Sequence, residues 1–116
     1  MTVLVILNDA PYASERPYNA LRLASSLAEN GDRNVRLFFI GDGAWCAVKE
    51  QAPPDGMHDI EWMLRRFLAG GREAAVCKTC MEARGITDDR LIEGTRRGTL
   101  DELTHWTVES DRVLVF

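Results

Sequence analysis

The chain has 116 residues, of which 46% are hydrophobic and 28% charged, and its formal net charge at pH 7 is -4. This length fits one domain with a sizeable core, so we expect residues 1–116 to form a single domain. Because the net charge is negative, the chain as a whole has no excess of basic residues. We therefore expect neither nucleic acid nor a membrane among the partners.

The sequence features that indicate a cellular compartment favour the cytoplasm. The first apolar run, residues 2–7, is too short for a signal peptide and has no basic region before it. No stretch approaches the roughly 18 apolar residues that span a bilayer. The three cysteines are an odd number, which argues for reduced thiols and against a disulfide scaffold.

The first half of the chain alternates strand and helix patterns. Residues 2–7 form an uninterrupted β-branched run, typical of a strand that is covered on both faces. Ser14 can cap the helix that follows, and Asn30-Gly31 can end it. Residues 35–40 predict a second strand, and residues 44–51 predict a short helix after it.

The middle of the chain contains the clearest helix and a third strand. Apolar residues in 59–68 recur at helical spacing and predict an amphipathic helix. The short apolar run 74–77 predicts a buried strand. Good helix formers follow it as far as Arg84, and Gly85 closes that helix.

The end of the chain adds one helix and one strand. Thr99 and Glu102 fit a capping box, which predicts that a helix begins there. Residues 112–116 predict the last of four strands. The alternation as a whole predicts an α/β fold, with a mostly parallel sheet and helices on both faces.

Polar residues follow each of the first three predicted strands. Asn8 and Asp9 come after the first strand, Asp42 and Gly43 after the second, and Cys77 ends the third. Ligands of open α/β sheets collect outside the carboxyl ends of the strands, so these residues are candidates for binding. The two glycines around Asp42 lack the remainder of a dinucleotide or nucleotide motif, and a tight turn explains them equally well.

Cys77 falls where a strand changes into a helix. Unpaired backbone N–H groups at the start of a helix favour a thiolate, as does the positive charge of Lys78 and Arg84. Cys80, three residues on, lies on the same helical face. Cys77 and Cys80 are therefore the candidate reactive residues, although burial of Cys77 as a small apolar side chain is the alternative.

The run from Cys77 to Ile86 resembles the cysteine motif of the DsrE/DsrF-like (YchN-like) family, which is related to the sulfur-relay subunit TusD. In the relay members, one cysteine at a strand end is followed eight positions later by the glycine of an Arg-Gly pair, as Cys77 is by Gly85. The resemblance implies that Cys77 accepts sulfur as a persulfide. Cys80 matches the second cysteine of the YchN-like branch.

Other parts of the chain also resemble this family, so that the likeness covers nearly all of it. These parts are residues 8–12, 18–24, 41–43, 98–103 with Trp106, and 113–116. The resemblance implies a three-layer, flavodoxin-like fold, assembly into a homotrimer or homohexamer, and protein sulfur donors and acceptors. Sulfur carriage would need no cofactor.

Two other functions remain open at this point. Cys77 and Cys80 form a Cys-x-x-Cys pair, which can carry out thiol-disulfide chemistry. The chain could also be a non-catalytic homo-oligomeric module with structural cysteines. We expect no metal, because beyond the pair only Cys46, His58 and His105 could join them as ligands, without the spacing of a second ligand pair.

Overall fold

A computed structural model describes residues 1–116 and contains five strands. They are β1 (Thr2–Leu7), β2 (Asn34–Phe39), β3 (Ala74–Cys77), β4 (Thr95–Gly98) and β5 (Arg112–Val115). All neighbouring strands are parallel, in the order β4-β3-β2-β1-β5. The predicted α/β fold with a parallel sheet is therefore confirmed.

Four α-helices connect the strands. They are α1 (Arg16–Glu29), α2 (Ile60–Ala69), α3 (Lys78–Ala83) and α4 (Leu100–Glu109), and two 3₁₀ segments lie at Gly41–Ala47 and Asp88–Arg90. None of the helices combines the length and the apolar character that a bilayer crossing requires.

The two faces of the sheet are covered unequally. On one face, α1 and α2 pack on β1 and β2 and form the main core, a cluster of 22 buried residues. On the other face, α4 packs through Trp106 against Leu4, Phe38 and Ala75, which we call the second core. Alternate residues of a strand point to opposite faces, so β2 contributes Leu37 and Phe39 to the main core and Phe38 to the second.

Aromatic contacts fix α4 on its face. The Trp106 ring meets that of Phe38 edge-on, with 6.1 Å between centroids. The guanidinium carbons of Arg36 and Arg96 lie 5.1 and 5.7 Å from the Trp106 centroid. Arg36 also pairs with Glu109 at the end of α4, at 3.0 Å. One helix thus holds the second core together.

Three local predictions differ from the structure. The fourth strand along the chain, β4, was not predicted, because Thr-Arg-Arg-Gly has no apolar pattern. Ser14 is not the cap of α1: Glu15 holds that position, and the Ser14 hydroxyl instead accepts a bond from the Arg16 N–H at 3.2 Å. The segment after β2 is a 3₁₀ segment that begins at Gly41, three residues before the predicted helix.

Candidate functional site

Cys77 is both the last residue of β3 and the N-cap of α3. Its partly buried Sγ accepts a hydrogen bond from the Cys80 backbone N–H at 3.3 Å and lies 3.4 Å from the Thr79 Oγ1. Since α3 has only six residues, these direct contacts stabilise the sulfur more than a summed helix dipole does.

The two neighbouring thiols have opposite pKa shifts. Burial raises the pKa of Cys77, but hydrogen bonds from the Cys80 side chain, from Thr79 and from the backbone outweigh it, so the pKa is lowered. Burial and the hydrogen bond to Cys77 raise the pKa of Cys80, against the opposing effects of the Gly41 N–H and Arg84. Cys77 is therefore the more acidic thiol of the pair, and Cys80 is the less acidic one.

Cys80 also connects α3 to the segment after β2. Its Sγ accepts a bond from the Gly41 backbone N–H at 3.1 Å. Arg84 makes a second connection: it pairs with Asp42 at 2.7 Å and donates to the Cys80 carbonyl at 3.1 Å. The sequence-predicted residues Cys80, Arg84 and Asp42 thus lie together, with the guanidinium directed to Asp42.

A Schellman motif ends α3. The Gly85 N–H donates to the Glu82 carbonyl, and the Ile86 N–H donates to the Met81 carbonyl at 2.9 Å. Gly85 has φ of +66°, a left-handed conformation that glycine adopts without strain. Met81 and Ile86 are both buried in the main core. The Arg-Gly pair therefore fixes where the cysteine helix stops.

The other predicted site residues lie elsewhere on the same edge of the sheet. Asn8 donates from its side chain to the Phe116 carbonyl at 3.1 Å, and Asp9 accepts from the Ser14 hydroxyl at 2.6 Å. Gly43 packs so closely on β1 that a Cβ would lie 2.1 Å from the Leu7 carbonyl oxygen. These contacts organise loops, and none of the three residues lines the cavity at Cys77.

A cavity of about 340 Å³ opens beside Cys77, between the ends of β2, β3 and β4 and the start of α4. We call it the Cys77 cavity. Cys77, Lys78, Thr79 and Cys80 form one wall, and the others contain Phe38, Ile40, Gly98, Thr99, Leu100 and Leu103. Most of this lining is apolar, and its only charged residue is Lys78.

Sequence reasoning did not find the apolar walls of the cavity. Gly98 pairs directly with Cys77 in the β3–β4 register, and a Cβ on it would lie 2.9 Å from the Phe38 ring. The available signals were the shared face of Phe38 and Ile40 on an extended segment, and the capping box that starts a helix right after Gly98.

The remaining cysteine and histidines do not extend this site. Cys46 is fully buried, and desolvation, aided by nearby Asp9, raises its pKa to about 12. The His58 ring stacks on Tyr18 with 4.1 Å between centroids, and its Nε2 is buried without a hydrogen-bond partner. No group of three His, Cys, Asp or Glu side chains is arranged to hold a metal ion.

The fold and the site together define a parallel α/β protein with a Cys-x-x-Cys pair at the carboxyl edge of its sheet, next to an apolar cavity. The profile of the DsrE/DsrF-like family matches residues 1–116. The chain belongs to this family.

Individual relatives agree with this assignment. Protein YchN of Escherichia coli is 39% identical over 115 residues, which cover 98% of this chain and 97% of that protein. The Methanopyrus kandleri protein MK0008 is 35% identical over 114 residues, covering 98% of this chain and 93% of its own.

Solved structures also resemble the chain, among them those of YchN and MTH1491. The crystal structure of YchN from Escherichia coli has a TM-score of 0.94 at 38% identity, and the match covers 100% of this chain and 99% of that one. The structure of MTH1491 from Methanobacterium thermoautotrophicum has a TM-score of 0.78 at 12% identity, covering 99% and 98%. The second likeness concerns the fold alone.

Proposed function

We propose that this protein carries sulfur as a persulfide on Cys77. The observation that carries the proposal is the Cys77 thiol itself: its pKa is lowered, it lies on the wall of a cavity, and it accepts a hydrogen bond from the Cys80 backbone N–H. Such a thiolate is the nucleophile that a sulfur carrier needs. Membership of the DsrE/DsrF-like family supports the same function.

The transfer requires no oxidant and no cofactor. The Cys77 thiolate attacks the outer sulfur of a donor persulfide, forming a new S–S bond while the donor's S–S bond breaks and its electron pair leaves with the donor thiolate. An acceptor thiolate then attacks the outer sulfur on Cys77 and regenerates the Cys77 thiolate. Donor and acceptor can be proteins or small thiols.

Cys80 offers a second fate for the loaded sulfur. As a thiolate it can attack Cys77 Sγ, which forms a Cys77–Cys80 disulfide and releases the outer sulfur as hydrosulfide. Burial raises the pKa of Cys80 and so disfavours its thiolate, which favours passing the sulfur on over releasing it. The same pair of sulfurs makes thiol-disulfide exchange the second candidate function.

The test is sulfur loading followed by intact mass. Reduced protein is mixed with a persulfide donor, and we expect one added sulfur on the wild type and none on Cys77→Ser. Cys46→Ser serves as the matched control, since Cys46 is buried away from the cavity. Equal loading of Cys77→Ser and wild type, or no loading of either, would contradict the proposal.

We further propose that the chain assembles into a homotrimer or homohexamer. Val113 and Val115 are exposed on the edge strand β5, in register with Leu4 and Ile6 on the face that only α4 covers. Exposed apolar residues on an unpaired edge favour association. Light scattering of Val115→Lys should show a smaller particle than wild type, whereas Leu23→Lys, on α1 across the sheet, should not. A monomeric wild type would contradict this assembly.

A further inference from the structure

We propose that the Cys77 cavity binds the apolar substituent of a low-molecular-weight hydropersulfide, R–S–S–H, and that such a molecule is the sulfur donor. This inference rests on the proposed function of Cys77 and adds the chemical class of the molecule that delivers the sulfur. It differs from protein-to-protein transfer, because the selectivity resides in a cavity within one chain.

The walls of the cavity favour an apolar guest. Phe38 and Ile40 from the end of β2 face Leu100 and Leu103 from α4, and no carboxylate lines the space. The volume of about 340 Å³ lies within the range of roughly 300–1,000 Å³ that is typical of small-molecule sites. Burying an alkyl or aryl group there removes apolar surface from water on both partners.

The reactive groups are confined to one wall. Cys77, Thr79 and Cys80 lie together at the cap and in the first turn of α3, so a guest whose tail lies against Leu103 presents its sulfur to this wall. Lys78 is the single cation of the lining and is exposed. Its positive charge stabilises the single negative charge that develops on the departing thiolate. One cation is too few to bind a donor that carries several negative charges.

The chemical step balances without a further reactant. The Cys77 thiolate displaces R–S⁻ from R–S–S–H, so that one S–S bond forms as another breaks and the outer S–H remains on Cys77. The departing thiolate takes a proton from water. The apolar substituent stays in the cavity during the attack, which holds the outer sulfur near Cys77.

The experiment compares two donors whose parent thiols have similar acidity, phenethyl hydropersulfide and carboxyethyl hydropersulfide. The rate of sulfur addition to Cys77 is followed by intact mass with each donor. We expect the phenethyl donor to load about tenfold faster or more, the usual discrimination of an apolar pocket. Lys78 attracts the carboxylate of the carboxyethyl donor. Electrostatic attraction therefore favours that donor and cannot be the cause of faster loading by the phenethyl donor.

Variants test whether the preference for the phenethyl donor arises in the cavity. Leu100 is 73% exposed at the mouth of the cavity, so Leu100→Glu should fold and should load the two donors at nearly equal rates. Leu103→Gln, deeper in the lining, should reduce the preference in the same direction. Val108→Glu is the matched control: it lies on the same helix, is 81% exposed and does not line the cavity, so its preference should equal that of wild type.

Each outcome decides between the two proposals. A wild type that accepts sulfur equally fast from both donors overturns the apolar-donor inference and leaves the persulfide function intact. A wild type that accepts sulfur from neither donor also overturns the inference; loading by a protein persulfide donor then leaves the persulfide function intact, and no loading by that donor contradicts it. A preference that survives in both Leu100→Glu and Leu103→Gln, or one that is lost in Val108→Glu, shows that the cavity is not what selects the donor.

Discussion

The backbone N–H of Cys80 donates a hydrogen bond to the Sγ of Cys77 at 3.3 Å. This bond joins two residues that are three positions apart, and their thiols differ in acidity: the pKa of Cys77 is lowered and that of Cys80 is raised.

The first prediction concerns the pH dependence of alkylation. Because the folded-state pKa of Cys77 is lowered, its thiolate is present at pH values where an ordinary thiol, with a pKa of about 8.5, is still protonated. Reactivity with iodoacetamide is then lost only as the pH falls through this lower value. Peptide mass spectrometry should show a midpoint for Cys77 below that of an unperturbed thiol measured in the same buffer, and little reaction at buried Cys46.

Variants of Cys80 test the origin of this shift. Cys80→Ala removes the side-chain donor and should raise the midpoint of Cys77, whereas Cys80→Ser retains a donor and should raise it less. The backbone N–H bond remains in both variants. An unchanged midpoint in Cys80→Ala would show that the second thiol does not stabilise the first.

The second prediction concerns the ion pair between Asp42 and Arg84. The Asp42 side chain is 67% exposed, so solvent screens the pair and a double-mutant cycle should give a coupling of about 0.5 kcal/mol. Arg84→Met should be more destabilising than Asp42→Asn, because only Arg84 also donates to the Cys80 carbonyl. Urea unfolding of both single variants and the double variant measures these quantities. A coupling of several kcal/mol would contradict the screened character of the pair.

The third prediction compares two tryptophans. Trp106 is buried in the second core and is the main anchor of α4, so Trp106→Ala should cost about 3–5 kcal/mol of unfolding free energy. Trp62 on α2 is 56% exposed and contacts Arg66 by a cation–π interaction, so Trp62→Ala should cost about 1 kcal/mol or less. Similar losses in chemical denaturation would contradict the role assigned to α4.

The fourth prediction compares two glycines. Gly85 has a positive φ with open space around it, so Gly85→Ala should cost the left-handed penalty of roughly 1–2 kcal/mol. Gly43→Ala should cost more, because its Cβ would collide with the Leu7 backbone, which cannot move without disturbing β1. Gly85→Asn should recover part of the loss, since asparagine tolerates this conformation. Thermal unfolding that ranks Gly85→Ala below Gly43→Ala in stability would contradict the argument.

The sequence was sufficient to predict the elements whose own residues carry an apolar pattern. Residues 59–68 were predicted as a helix and the structure has Ile60–Ala69; the strand at 74–77 was predicted with the same bounds. The cap at Thr99 was also found, and its Oγ1 accepts from the Glu102 N–H at 3.2 Å. In each case, local chemistry and the final fold agree.

The features that were missed depend on distant residues. Thr95–Gly98 is extended because it pairs with β3 along the edge of the sheet, and its two arginines and glycine carry no strand preference of their own. The apolar cavity was missed for the same reason, since its walls come from three strands and two helices. Cys77 could be placed at a strand-to-helix switch from the sequence, but what faces its thiol could not.

The side chains of Cys77 and Cys80 pack against different cores. Cys77 packs against the second core under α4, whereas Cys80 packs against the main core beneath α1 and α2. A disulfide between them would link a side chain on the second core covalently to one on the main core, in addition to the backbone hydrogen bond that already joins the two residues. An added sulfur on Cys77 would disturb only the second core beneath α4. The hydrogen-exchange rates of the α4 amides should therefore differ between the loaded and the unloaded protein.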